Sequence, residues 1–98
     1  MMFNERIKQL REDLQIPQRK LAAAMDIDTA SYCKIEKGER RARKEHISVI
    51  AEILQTETEE LLTLWLADQV AAVVENEKEL AGKVLKMVQK ELQNINHV

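Results

Sequence analysis

The sequence predicts an all-α protein, and three features carry that prediction. Only two glycines and one proline interrupt 98 residues, far fewer than the turns of an all-β fold require. The chain is rich in Ala, Leu, Glu, Lys and Gln, residues that favour a helix. Apolar residues recur at spacings of three and four, the period of a helix face and not of a strand. This length makes one domain's worth of chain. With one Phe, one Tyr and one Trp, its core must be built from Leu, Ile, Val and Ala.

Phe3, Ile7, Leu10 and Leu14 form the stripe of a first amphipathic helix, with Arg6, Lys8, Arg11 and Glu12 on its other face. Pro17 marks the start of a second helix, QRKLAAAMD, because proline suits a first turn. Leu21 and Met25 point one way on it, and Ala22 leaves room for a neighbour. Asp28 is a good N-cap for a third helix from Thr29 to Lys37, and Gly38 is its natural stop. A polar basic loop, ERRARKE, follows. Ile47, Ile50, Ala51 and Leu54 then mark a fourth helix.

Thr56 and Glu59 are spaced as a capping box and open a fifth helix. Leu61, Leu62, Trp65, Leu66, Val70, Val73 and Val74 make it apolar on more than one side, as expected of a helix covered by more than one neighbour. Asn76 to Glu79 reads as a break. Leu80, Val84, Leu85, Val88, Leu92 and Ile95 stripe a last helix, weakened at Gly82 by about 1 kcal/mol relative to alanine. The expected division is a compact domain over 1–66 and a helical extension over 67–98 that pairs with a second copy. Trp65, Val70, Val73, Leu85, Val88 and Leu92 are the expected pairing residues, Trp65 serving in the core or in the dimer contact.

The bulk properties exclude several classes. One cysteine, Cys33, permits no intrachain disulfide and fits a reducing cytoplasm. The opening MMFNERIKQL has no signal-peptide core, and LLTLWLADQVAAVV is too short to cross a bilayer, so a cytoplasmic protein without membrane contact is expected. His46 and His97 have no companions at metal spacing. No nucleophile–base pair and no glycine-rich phosphate loop is present, so no enzyme activity, metal or cofactor is expected. Net charge is −2, but residues 19–44 hold eight Lys/Arg against four Asp/Glu, while residues 57–98 hold four against eight. A local basic field attracts a polyanion even when the total is negative.

A second helix, a tight turn and a capped third helix, packed on the first and fourth, make a helix-turn-helix arrangement. The segment PQRKLAAAMDIDTASYCKIEKGER also resembles the lambda-repressor-like, or xenobiotic-response-element, class of helix-turn-helix proteins. The matching residues are Gln18, Leu21, Ala22, Ile27, Asp28, Ile35, Glu36 and Gly38, followed by the basic loop, and the resemblance covers roughly residues 3–66. It implies a five-helix DNA-binding domain, here with an additional C-terminal helix. Three positions depart from the pattern: Asp26 replaces the usual turn glycine, Pro17 the usual Ser or Thr cap, and Tyr32 a small aliphatic residue. Aspartate tolerates the left-handed backbone better than most residues.

On the third helix, Tyr32 and Ile35 face the core, while Thr29, Ala30, Cys33 and Lys34 project to the opposite sector. Residues near the start of such a helix reach base edges in the major groove. Thr29, Ala30, Ser31 and Lys34 are therefore the expected base readers, Lys34 as a donor to guanine and the short side chains as contacts for a thymine methyl. Gln18, Arg19, Lys37, Arg40, Arg41, Arg43 and Lys44 are the expected phosphate contacts. Glu36 is expected to partner a nearby arginine, because a carboxylate beside phosphate repels.

The expected function is a dimeric, sequence-specific regulator of transcription, a repressor on a near-palindromic operator in double-stranded DNA. The alternative is an antitoxin-type or restriction–modification controller protein, whose C-terminal helices bind a partner protein. In that case an acidic tail from Glu75 would wrap a basic partner.

Overall fold

A computed structural model describes residues 1–96 of the chain. Among these, six α-helices and one 3₁₀ turn follow in order: α1 (Met2–Asp13), α2 (Gln18–Ala24), α3 (Thr29–Glu36), the 3₁₀ turn (Lys44–His46), α4 (Ile47–Ile53), α5 (Thr58–Val74) and α6 (Lys78–Asn96). No strand occurs among the described residues. His97 lies outside them.

The chain divides into two compact units, Met1–Asp68 and Gln69–Val98. In the first, α3 packs on α1 and α2, and α2 packs on α4. Phe3 and Ile7 from α1, Leu21 and Ala22 from α2, and Tyr32 and Ile35 from α3 meet Ile47, Ile50 and Ala51 from α4 and Leu61 from α5 in one core. Each fully buried Leu or Ile removes enough apolar surface from water to contribute about 1.5–3 kcal/mol. Leu14, expected to extend the first stripe, instead ends α1 as its C-cap and is 38% exposed.

Four helices end in the same way. Gln15, Asp26, Gly38 and Gln55 all adopt positive φ, at 58°, 57°, 80° and 56°. Each N–H bonds back to the third residue before it: Gln15 to Glu12, Asp26 to Ala23, Gly38 to Ile35 and Gln55 to Glu52. The next N–H reaches one residue further back again, as in Ile16 to Arg11 and Thr56 to Ala51. These are Schellman closures, which satisfy carbonyls that a helix end leaves open. Asp26 thus takes the left-handed turn expected of it, and Gly38 stops α3.

The opening of α5 corrects an expectation. Thr56 is not its N-cap: the Thr56 amide completes the closure of α4, the helix begins at Thr58, and the Thr56 hydroxyl donates to Glu60 at 2.8 Å. The residue pair spaced as a capping box is therefore split between two helices. The start of α1 is closed from a distance. Asp68 of α5 accepts from the Met2 and Phe3 amides at 2.9 and 2.8 Å, a carboxylate placed at the positive end of the helix.

In the second unit, the apolar stripe of α6 lies open: Leu80, Val84, Leu85, Val88, Leu92 and Ile95 are 38–60% exposed. Val70 and Val73 near the end of α5 are exposed as well, at 49% and 81%. The expected acidic tail is also corrected. The acid surplus sits in residues 57–77, with six Asp/Glu and no Lys/Arg, whereas residues 78–96 carry four Lys against two Glu.

Candidate nucleic-acid interface

Local chemistry fixes the start and end of α3. The Asp28 carboxylate accepts from the Ser31 amide at 2.6 Å, and the bonds from the Ser31 backbone and side chain hold its pKa below the ordinary value. At the other end, the Asn4 amide donates to the Glu36 carbonyl at 2.9 Å. A Cβ on Gly38 would stand 3.2 Å from that Asn4 nitrogen, in a backbone conformation that already disfavours a side chain.

Between these ends the helix has two distinct sides. Tyr32, Ile35 and Glu36 are buried, while Thr29, Ala30, Lys34 and Lys37 are exposed and Ser31 and Cys33 are half-buried. At about 100° per residue, Ala30, Lys34 and Lys37 fall opposite the buried trio. The outward ridge of α3 is thus short side chains at its start and cations toward its end.

The cations around it are available. All eight Lys/Arg of residues 19–44 are exposed. Among the described residues only Arg43 of these forms an ion pair, an exposed one with Glu45 at 3.7 Å. The basic loop that carries Arg40, Arg41 and Arg43 is held at two points. The Arg40 amide donates to the Lys34 carbonyl at 3.3 Å. Ala42, the one apolar residue of ERRARKE, is 3% exposed, and its carbonyl accepts from the Trp65 indole at 2.8 Å. Anchoring Ala42 leaves the arginines on either side of it in water. Trp65 therefore packs against the core of its own chain, one of the two roles expected of it.

Beneath the ridge lies a buried polar cluster. Glu36, with a side chain 3% exposed, accepts from Arg11 Nε at 2.6 Å and Nη2 at 3.0 Å, and from Gln18 Nε2 at 3.1 Å. Arg11 Nη1 donates to the Ile16 carbonyl at 2.9 Å. Burial pushes the Glu36 carboxyl up, but the hydrogen bonds from its neighbours, Arg11 foremost, outweigh burial and hold its pKa below the usual glutamate range. The Tyr32 hydroxyl is buried in the same region without a hydrogen bond of acceptable geometry among the described residues. Burial, and then the charge of Glu36, push its ionisation far above the ordinary tyrosine value.

This cluster meets one expectation and revises two. Glu36 does partner an arginine. That arginine is Arg11 of α1, which the sequence pattern places on the solvent face; it sits four residues after Ile7, at the edge of the buried stripe. Gln18, expected at a phosphate, turns its amide nitrogen inward to Glu36, because a buried carboxylate needs every donor within reach. Arg11, Asn4 and Asp68 position the interface without being exposed on it, and only the place of Arg11 beside the apolar stripe hinted at its part.

Among the described residues no group of three or more His, Cys, Asp or Glu side chains could hold a metal ion. No described helix is long and apolar enough to cross a membrane. No curated protein and no solved structure gives a match to this chain. The helix-turn-helix family does match, over residues 7–61, a span that runs from the buried Ile7 to the buried Leu61 and contains α2, α3 and the basic loop. The chain belongs to the lambda-repressor-like helix-turn-helix family, and this domain is a DNA-binding one.

Proposed function

We propose that the protein is a sequence-specific regulator of transcription that binds a near-palindromic operator as a dimer and represses. One observation carries this: the outward ridge of α3 is bordered by exposed cations, of which only Arg43 is ion-paired among the described residues. Unpaired exposed cations give up no partner when they turn onto phosphates, whereas paired ones must first lose one.

In this arrangement Thr29, Ala30, Ser31 and Lys34 meet base edges. Arg19, Lys37, Arg40, Arg41, Arg43 and Lys44 hold the flanking phosphates. Gln18 acts mainly from behind, by fixing Glu36 and so the start of α2 against α3. Two copies place two α3 helices about 34 Å apart on successive major grooves. Occupation of that stretch excludes other proteins from it, which is what repression requires. Val70, Val73, Leu85, Val88 and Leu92 supply the contact between copies. A basic partner protein on the tail is the weaker alternative, because α6 is itself a net cation.

Selection of bound sites from random duplexes tests the proposal. A near-palindromic motif is expected, with affinity falling by a log–log salt slope of roughly −0.9 per phosphate neutralised. Lys34→Ala should relax preference at one position in each half-site by no more than about 1–3 kcal/mol. Arg41→Ala should weaken all sequences alike and make the slope shallower by about 0.9 for each phosphate that is no longer neutralised. Binding indifferent to salt, or a selection that enriches no motif, sinks the proposal.

A further inference from the structure

We propose that α6 is a four-stranded self-association seam, through which four copies of the chain assemble. Ala81, Leu85, Val88, Leu92 and Ile95 follow one another at spacings of four, three, four and three. That is a heptad seam, with Leu85 and Leu92 at position a and Ala81, Val88 and Ile95 at position d. Every one of the large apolar residues in it is exposed, at 43–60%.

Three observations set the number of strands. The first is residue type. Leucine at a with β-branched residues at d favours three or four strands, whereas the reverse arrangement favours two. The second is width. Val84 adds an apolar residue at position g and is 38% exposed, so the stripe is broader than the two-position seam of a paired coil and matches a helix that meets two neighbours. The third is area. With its 19 residues α6 is about 28 Å long. One face of a helix some 10 Å across then projects a footprint on the order of 300 Å², a small contact for a single partner. Contact with two neighbours roughly doubles what each chain buries.

Charge is consistent with copies of the same helix as the occupants. Lys83, Lys86 and Lys90 occupy positions f, b and f, away from the seam, and Lys78, the one lysine at position a, stands at the first residue of the helix, so self-association brings cations together only at that end. Four strands are preferred to three because closed assemblies of two-fold pairs are the common form, and because the proposed operator takes chains in pairs. With two chains on each operator, one assembly holds two duplexes. This consequence, and in part the choice of four strands over three, rest on the DNA-binding proposal.

The test is the solution mass of the full chain without DNA, by sedimentation equilibrium, beside a variant that exchanges the a and d residue types: Leu85→Val, Val88→Leu, Leu92→Ile and Ile95→Leu. The exchange preserves composition, and unchanged helicity by circular dichroism confirms that α6 still forms. Four chains are expected for the natural sequence, falling to two or fewer in the variant. A natural-sequence mass of one, two or three chains overturns the proposal, as does a variant that still sediments as four. In a second measurement, a bead-tethered random-sequence duplex at low salt should retain a second, fluorescent duplex several-fold better with the natural chain than with the variant. Four chains without bridging would leave the seam standing and count against the two-duplex consequence.

Discussion

The first unit and α6 are built from the same material, helices with one apolar face, and they use it in opposite ways. In Met1–Asp68 the large apolar stripes converge on one core, and Ile7, Leu21, Tyr32, Ile50 and Leu61 have no exposed surface. The helix ends there are closed by Schellman turns, by Asp28 and by Asp68. In α6 a stripe of comparable regularity keeps about half of each side chain in water. Periodicity says that a helix has an apolar face; it does not say whose surface covers it. The interior of the first unit is complete within one chain. The face of α6 is not.

Breaking the interior of the first unit should have the largest effect. Arg11→Met removes the main partner of a carboxylate buried beneath α3 and should cost about 3–5 kcal/mol of unfolding free energy, because an uncompensated charge remains. The double variant Arg11→Met, Glu36→Leu should recover most of that loss in urea denaturation. The pH dependence has a definite sign. The folded state lowers the pKa of Glu36, so its contribution is fully present above an ordinary glutamate value of about 4.3 and is lost as pH falls through the lower folded value. Glu36→Gln should therefore flatten the acid limb of the stability curve and leave its neutral-to-basic limb in shape.

The second comparison is direct. Leu21→Ala, at a site with no exposure, should cost about 2–5 kcal/mol. Leu85→Ala, at a site 43% exposed, should leave the first unit's denaturation midpoint in place and act instead on solution mass. Equal losses of monomer stability from the two changes would erase the distinction between the units.

The smallest effect concerns the helix ends. Gln55 holds a positive φ that costs a residue with a side chain roughly 1–2 kcal/mol, and glycine's greater freedom in the unfolded chain offsets part of any relief. Gln55→Gly should raise stability by less than about 1 kcal/mol, measured as a shift in urea midpoint at constant slope. Gly38→Ala should do the reverse, and by more, since its Cβ also meets Asn4.

These contrasts mirror what can be read along the chain. The stripes of α1 and α4, the Asp28 cap, the left-handed Asp26 and the Gly38 stop are all legible, because each depends on residues within about one turn of one another. The outward position of Ala30 and Lys34 is legible for the same reason: once Tyr32 and Ile35 point inward, helical geometry sends these two out, while Thr29 is exposed as the first residue of α3. The split of Thr56 and Glu59 between two helices is not, since a capping-box spacing carries no information about where the preceding helix closes.

By itself, then, the sequence determined six helices, the polarity of α3 and the concentration of cations beyond it. Only the tertiary structure decided that Glu36 belongs to Arg11, 25 residues away, that Trp65 secures the basic loop through Ala42, and that Asp68 closes α1 from 66 residues on. The physical reason is range. Helix periods and caps are set by neighbours a few positions apart, whereas each of these partnerships exists only after helices have packed and brought a donor to an acceptor that no local pattern announces.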